Sequence, residues 1–564
     1  MKFEEYPLVI PNIEELSKKF EKIIKKLEDS NTAKEQIKTC RESMKFSDYI
    51  ATIFTIISIR YSLDTTNEEY VKAQEIADEL MPQLEVYNEQ INKILLNSPY
   101  RKELEEAFGE LFFRQIEISL KCFDEKIVED LQQENKLVSK YNKVMASAKI
   151  KFEGQVYNLS QMGKFTIDVD REKRKKATKA VSKFFEEHYE ELGQIYDELV
   201  HIRDGMAKKL GFKNYVELGY LALGRTDYDA EMVKIYRKQI EDYFVPVWKK
   251  LFRRQMKRID VRTPRFYDMG LNYLSGNPTP QGTPDELVEK AREMYKEMSK
   301  ETGEFFDFMT ENHLMDLVAK PGKQGGGYMT YLPDYKAPFI FSNFNGTSGD
   351  VDVLTHEFGH AYQGYCSRNI QVPSYRSPTL EACEIHSMSM EFFAWPWMDK
   401  FFGKDADKYR YAHLKDAVMF LPYGATVDEF QHFVYENPNA THEERCAKWR
   451  EIEKKYTPLK SYKGYQVYEN GNLWLKQSHI FQTPFYYIDY TLAQVAAFQF
   501  LVEMRRNQEK AWKKYNRLCN LGGKYPFVDL LKHAHLNNPF EAGSLKKIVK
   551  QLNKILNSFD DQNM

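Results

Sequence analysis

Two imidazoles can grip one ion from a single stretch of backbone only where the chain turns about every 3.6 residues, and His356-Glu357-Phe358-Gly359-His360 sets its histidines four apart. That spacing demands a helix. Glu357 then lies about 100° round the axis from His356, beside the open coordination position, where it can accept a proton from water. A second pattern supports the helix independently: Phe358, Ala361, Tyr362 and Tyr365 form an apolar stripe at i, i+3, i+4 and i+7. Thr347 or Ser348 offers an N-cap, and Asp350 and Asp352 suit the positive end of the helix dipole. Gly359 costs roughly 1 kcal/mol relative to alanine inside a helix, which predicts that something approaches closely there. With 12 histidines in 564 residues, two His and a Glu at this spacing arise by chance roughly 0.02 times per chain, so the pattern reads as a metal site.

A catalytic zinc takes three protein ligands and leaves a fourth position open, so a third donor is needed. Downstream stands TLEACEIHSMSMEFF, a second helical segment rich in acids, in which Glu384 is the expected ligand. Glu381 and Glu391, near the same face, are expected as acceptors behind the ligands. Cys383 and His386 are alternative donors that project elsewhere when Glu384 faces the ion. Asp352, one turn before His356, is the candidate to accept that histidine's other N–H and fix its tautomer. His442-Glu443-Glu444-Arg445-Cys446 begins like the motif but ends in cysteine, and reads instead as a helix start capped by Thr441. A third segment, SHIFQTPFYYIDY, gathers His479, Tyr486, Tyr487 and Tyr490. Such donors stabilise negative charge on a carbonyl oxygen, although taken alone the cluster is explained more simply by aromatic packing.

Around these segments the text is helical. Ile13, Leu16, Phe20, Ile23 and Ile24 recur at three- and four-residue steps between Lys and Glu, and residues 12–145 continue in that manner. Residues 150–168 alternate more like strands or a connector. That break sets a soft boundary between a helical N-terminal region, 1–150, and a catalytic region, 151–564, both expected to line one channel. Beyond 171 the helical pattern resumes, with turns at Gly211, Pro264 and GNPTPQGTP. Then Gly325, Gly326 and Gly327 precede two β-like runs, YMTYL and APFIFSNF, joined by the turn Pro333-Asp334, so a small sheet is expected beside the motif helix.

Glycine (27) and proline (21) are sparse for this length and 29% of residues are charged. Both facts suit a mainly α fold, large enough for two lobes that enclose a deep site. Lys and Arg (81) nearly balance Asp and Glu (83), so no global field draws the chain to nucleic acid or anionic lipid. The cluster from Arg171 to Lys176 lacks aromatic interleaving and reads as a solvated helix face. Six scattered cysteines without a C-x-x-C pair indicate neither a disulfide framework nor a structural zinc knuckle, and fit a reducing cytoplasm. The first twenty residues carry acids and lack an h-region, and the apolar stretch from Ala51 to Ile59 is too short to span a bilayer. A soluble, cytoplasmic protein with no membrane partner is expected, of undetermined oligomeric state.

HEFGHAYQGY, EACEIHSMSMEF and HIFQTPFYYIDY, in that order, resemble the thimet oligopeptidase and oligoendopeptidase F family of zinc metallopeptidases, most closely its bacterial oligoendopeptidase F and Pz-peptidase branch. Weaker similarity in LGFKNYVELGY and FSNFNGTSGDV extends the likeness through most of residues 200–500. The resemblance implies a largely helical, two-lobed enclosure around a deep channel, one zinc ion, and endopeptidase action on short oligopeptides. It implies His356, His360 and Glu384 as ligands, Glu357 as general base, and His479, Tyr486 and Tyr490 as substrate-positioning and oxyanion donors. The family's better-known animal members have a glycine-rich turn where this chain has QTPF, so the choice among Tyr486, Tyr487 and Tyr490 stays open. APFIFSNF, through Phe341, Ser342 and Asn343, is expected to pair a free edge with extended substrate. Gly326 and Gly327 are expected either to let a loop close over the peptide or to form an ordinary flexible turn. Two other readings share these residues: a zinc hydrolase of non-peptide amides, and a non-catalytic peptide-binding protein of the same fold.

Overall fold

A computed structural model describes residues 1–320 and 322–564. The fold is mainly α, with one sheet of two strands and one of three among the described residues. Two compact units share the sequence in alternation. The first comprises Met1–Phe123, Thr279–Gly403 and Gln499–Leu536, and the second Asp124–Pro278, Lys404–Phe498 and Asn537–Met564. The units therefore do not follow a linear division at residue 150. What the sequence shows there is a local break, a hairpin of β1 (Ile150–Phe152) and β2 (Gln155–Tyr157).

The first unit starts as its periodicity requires. Asn12 accepts hydrogen bonds from the backbone N–H groups of Glu14 and Glu15 and so caps the Ile13–Glu28 helix. Leu16, Phe20 and Ile23 are buried in one cluster with Phe46, Leu95 and Phe113, and Ile13 and Ile24 lie at its margin. The same unit holds β3 (Met315–Val318), β4 (Tyr328–Leu332) and β5 (Ala337–Phe344), in the spatial order β3-β5-β4. YMTYL and APFIFSNF are thus the expected strands, and APFIFSNF lies between the other two, paired with β4 over 337–341 and with β3 between 340 and 344. It runs parallel to β3 on one side and antiparallel to β4 on the other. A strand enclosed in this way reads as a continuous apolar run rather than an alternation, which is why its sequence hides its central place. β3, four residues long, is too short to leave a periodic signal.

The histidine motif lies on the Gly349–Ser367 helix. Its start differs from the expected cap: Ser348 holds the N-cap position without a side-chain bond, and the Thr347 hydroxyl donates to Asn345 Oδ1 instead (2.7 Å). Asp350 accepts from the backbone N–H groups of Asn345 and Gly346 (2.9 and 2.7 Å), which ties the preceding loop to the first turn. The apolar stripe packs as read. Phe358 stacks on Tyr295 with ring centroids 3.7 Å apart, and Tyr362 and Tyr365 both meet Phe305. Gly359 meets the Leu380–Phe393 helix, where a Cβ would stand 2.6 Å from His386 O and 2.7 Å from Ser387 Cα. The two backbones touch because one side chain is missing.

In the second unit, Thr441 caps the His442–Tyr456 helix in a reciprocal pair with Glu444, as expected. The Arg171 to Lys176 cluster departs from a wholly solvated face. Arg174 is buried, and together Arg171 (2.8 Å) and Arg174 (3.2 Å) hold the buried carboxylate of Asp268. Charges taken out of water must be paired, and here they are. Among the described residues, no helix is long and apolar enough to cross a membrane.

Gly359→Ala is expected to destabilise the protein by about 1–3 kcal/mol, as overpacking does, and to lower the midpoint of thermal unfolding followed by circular dichroism. Gly163→Ala, where an added Cβ meets nothing within 4 Å, is the matched control and should not lower it.

Candidate metal centre

In the first unit the helix pair brings His356, His360 and Glu384 together. One ligand atom from each lies within 4.8 Å of the others, and among the described residues no other group of three or more His, Cys, Asp or Glu side chains is so disposed. His356 Nε2 is 3.2 Å and His360 Nε2 3.5 Å from Glu384 Oε2. The four-residue spacing sets the two rings one turn apart, with centroids separated by 5.0 Å. Two imidazole nitrogens and one carboxylate oxygen are a donor set that fits a divalent cation such as zinc. The alternative donors stay outside: Cys383 Sγ points at Pro378 O (3.4 Å), and His386 is fully buried, with its pKa pushed down by that burial to about 4.

Within the cluster the imidazoles and carboxylates shift one another. Burial works against a charged His356 ring, yet the carboxylates of Glu384 and Glu391 outweigh it and hold its pKa well above the usual imidazole value. Burial likewise works against the Glu384 carboxylate, and His360 and His356 hold it well below the usual range. Positive charge is therefore favoured between these groups, whether carried by a proton or by a cation in its place. Glu357 differs. It is 8% exposed, and burial raises its carboxyl above the usual range against the lowering influence of His356 and His360. The shift brings it toward the pH at which a proton acceptor works best.

His356 turns Nδ1 toward Glu391 Oε1 at 2.6 Å, so the Nδ1–H donates to that carboxylate and Nε2 keeps its lone pair for a cation. Asp352, the expected partner, does not hold this place. A ring that reaches off its own helix turns its far nitrogen to the neighbouring one, and Glu391, seven residues beyond Glu384 on that helix, meets it. Ser387 Oγ donates to Glu384 Oε2 (3.0 Å), and the buried Glu381 accepts from Thr379 Oγ1 (2.9 Å).

The glycine loop passes beside the same acid. A Cβ on Gly327 would stand 3.9 Å from Glu357 Oε1 and 3.3 Å from Val353 Cγ1. Asn343 Nδ2 donates to the carbonyls of Gln324 and Gly326, 2.8 Å each, while the Ser342 carbonyl accepts from Lys323 Nζ. Phe341 is buried and stacks with Tyr328 (4.8 Å). Of the three residues expected at a substrate edge, Phe341 is paired with both Asp316 and Tyr328, whereas Ser342 and Asn343 lie past the end of the β4 ladder and hold the loop through the Ser342 carbonyl and the Asn343 amide.

In the second unit the Ser478–Gln482 helix carries His479, and the Tyr487–Met504 helix carries Tyr487 and Tyr490. Gln477 Nε2 donates to His479 Nδ1 (2.8 Å), and Gln477 Oε1 accepts from the Tyr423 hydroxyl (2.7 Å). This leaves the ring proton on Nε2, 3.4 Å from Tyr490 Oη. The Tyr486 and Tyr487 rings lie 5.8 and 5.0 Å from the imidazole, so all four residues of the third segment do converge. Gln477 and Tyr423 were missed by sequence reasoning. The amide two residues before His479 was the available signal, whereas Tyr423, on the Ala406–Glu436 helix, leaves none.

Comparison with known proteins bears on this geometry. A family model described as the peptidase M3 N-terminal domain matches residues 3–123, and one described as peptidase family M3 matches residues 165–550. Over 403 residues the chain is 22% identical to Oligopeptidase PepF of Bacillus subtilis (strain 168), an alignment that takes in 67% of this chain and 56% of that protein. The chain thus spans little more than half the length of this curated relative. Among solved structures, Pz peptidase A with an inhibitor is 51% identical, with 100% of each chain covered and a TM-score of 0.96. A structure named as an oligoendopeptidase F from Bacillus anthracis str. Ames is 48% identical, covering 100% of this chain and 99% of that one, with a TM-score of 0.91. Since the match to the second family model takes in most of its length, the chain belongs to peptidase family M3.

Proposed function

We propose that this peptidase is a zinc-dependent endopeptidase that hydrolyses internal bonds of oligopeptides, with one zinc ion held by His356, His360 and Glu384. The observation that carries the reading is the convergence of those three donor atoms beside a buried Glu357 on the same helix turn. When bound, zinc supplies Lewis acidity, which polarises a carbonyl and makes water a stronger acid. Glu357 takes the proton of the attacking water and later passes it to the leaving amine, two tasks that its raised pKa suits. Glu391 holds the His356 ring in the tautomer that a ligand needs.

His479, through its Nε2–H, and Tyr486 or Tyr490, through the phenol, donate to the substrate carbonyl oxygen as it gains negative charge. β4, at the edge of the sheet and directly after the glycine loop, is the strand we assign to pairing with extended substrate in place of β5. Gly327, whose missing Cβ would stand 3.9 Å from Glu357 Oε1, gives that substrate close approach to this acid, and Gly326, at φ 93°, turns the loop beside it. Six scattered cysteines without a C-x-x-C pair support a cytoplasmic setting for this activity.

Mass spectrometry of products from a mixed peptide library, run with and without a chelator, tests the whole reading. Cleavage at internal bonds that stops with the chelator and returns with added zinc is expected; cleavage indifferent to the chelator, or none at any peptide length, would overturn it. Glu357→Gln should keep its zinc by elemental analysis and lose about 10²- to 10⁴-fold in kcat, and near-normal turnover would remove Glu357 as the base. Glu391→Ala should weaken zinc affinity about 10- to 100-fold in chelator competition, with Asp352→Ala close to the parent protein; the opposite ranking would return the orienting role to Asp352.

A further inference from the structure

The LGFKNYVELGY stretch and the arginine that follows it take no part in the chemistry above, yet they end against the segment that carries the donors. Between His479 and Tyr486 the chain leaves one short helix and enters the next through Thr483-Pro484-Phe485. Phe485 has φ 66°, in the left-handed region that a bulky side chain rarely adopts, and it is wholly buried. Its surroundings impose that conformation. The Phe485 N–H donates to Gln431 Oε1 (3.0 Å), and its carbonyl accepts from Arg225 (2.7 Å). Its ring lies against Gly219, where a Cβ would be 2.8 Å from Phe485 Cδ2. Glycine at 219 makes room for the turn.

Arg225 does more than satisfy one carbonyl. The same guanidinium nitrogen binds Asp489 Oδ1 (2.6 Å), in the helix turn between Tyr486 and Tyr490, and both side chains of this pair are fully buried. A second buried arginine acts four residues earlier. Arg203 donates to the Phe481 carbonyl (2.5 Å) at the end of the His479 helix, and is itself fixed by Glu134 (2.6 Å) and the Tyr435 hydroxyl (3.0 Å). Two guanidiniums thus bracket the backbone that separates the imidazole from the tyrosines. A buried ion pair is a weak source of stability, because desolvation offsets its attraction. A planar fork that grips a carbonyl in one fixed orientation is a strong source of position, and lysine cannot reproduce it.

We infer that Arg225 and Arg203 are positioning residues for peptide hydrolysis: by fixing the turn at Phe485 they hold His479, Tyr486 and Tyr490 in one donor geometry. The inference rests on the reading of those three side chains as donors to the substrate carbonyl. Donors placed in advance act without reorganisation, and small misplacement costs rate rather than ground-state binding.

The test is a mutant cycle on the full-length, zinc-loaded protein. Arg225→Lys is expected to lower kcat about 10- to 100-fold while KM stays within about threefold and zinc content is unchanged. In a protein that already carries Tyr486→Phe and Tyr490→Phe, Arg225→Lys should cause little further loss, because the groups it positions are gone. An equal loss in both backgrounds, or a loss expressed in KM alone, would overturn the inference. Should Arg225→Lys fail to fold, as judged by circular dichroism, Gln431→Leu replaces it in the same cycle, since it frees the Phe485 N–H and leaves both arginines in place; the same two results decide. If the paired tyrosine substitutions by themselves leave kcat intact, the donor reading falls and this inference with it, a result recognisable because it appears before any arginine is changed.

Discussion

Glu384 reaches two imidazoles that belong to another helix because a glycine lets the two backbones meet. Ligands on one helix have their spacing set by covalent geometry, but a third ligand from a neighbour depends on how the helices pack, and side chains at the crossing would add slack. At Gly359 there is none: the backbone at His386 and Ser387 fills the space that a methyl group would need. On the other side of the same helix, Phe358 is pressed onto Tyr295 and both tyrosines of the stripe onto Phe305. The helix is held between a ring stack and a bare backbone, and the histidine face has little freedom left.

Within that frame, acids of one chemical kind are given separate tasks by their surroundings. Glu384 is kept ionised by two imidazoles, as the ligand role proposed for it requires. Glu391 takes the proton-bearing nitrogen of His356 and so lends its charge without touching a cation. Glu357 is nearly as buried as Glu384 but faces less compensation, and its affinity for a proton rises. Burial alone does not decide between Glu384 and Glu357, nor does the presence of the two imidazoles, which act on both; of the two acids, direct hydrogen bonds from His356 and His360 reach Glu384 only.

How much of this could be read in the sequence depended on how local each signal was. The motif helix, its apolar stripe, the close approach at Gly359, YMTYL and APFIFSNF, and the Thr441 cap each rest on residues a few positions apart, and all are found. Asp352 failed for the same reason: nearness along the chain favoured it, while Glu391 wins by packing. The central place of APFIFSNF depends on β3, whose four residues announce nothing. Arg174, read as solvated, is buried by a partner nearly a hundred positions away. Arg203 and Arg225 are harder still, since much of what they bind is backbone carbonyl, and a carbonyl has no letter in a sequence.

The alternation of the two compact units carries a consequence for how the molecule comes into being. Each is stitched from three separate stretches, so any contiguous fragment that contains one whole unit also contains at least two stretches of the other. A ribosome making this chain releases the motif helix long before residues 499–536 exist to complete its surroundings, and the early helices must wait, partly unsatisfied, for almost the entire message to be read. Each unit is therefore complete only when its last stretch has been made, residues 499–536 for the first and 537–564 for the second.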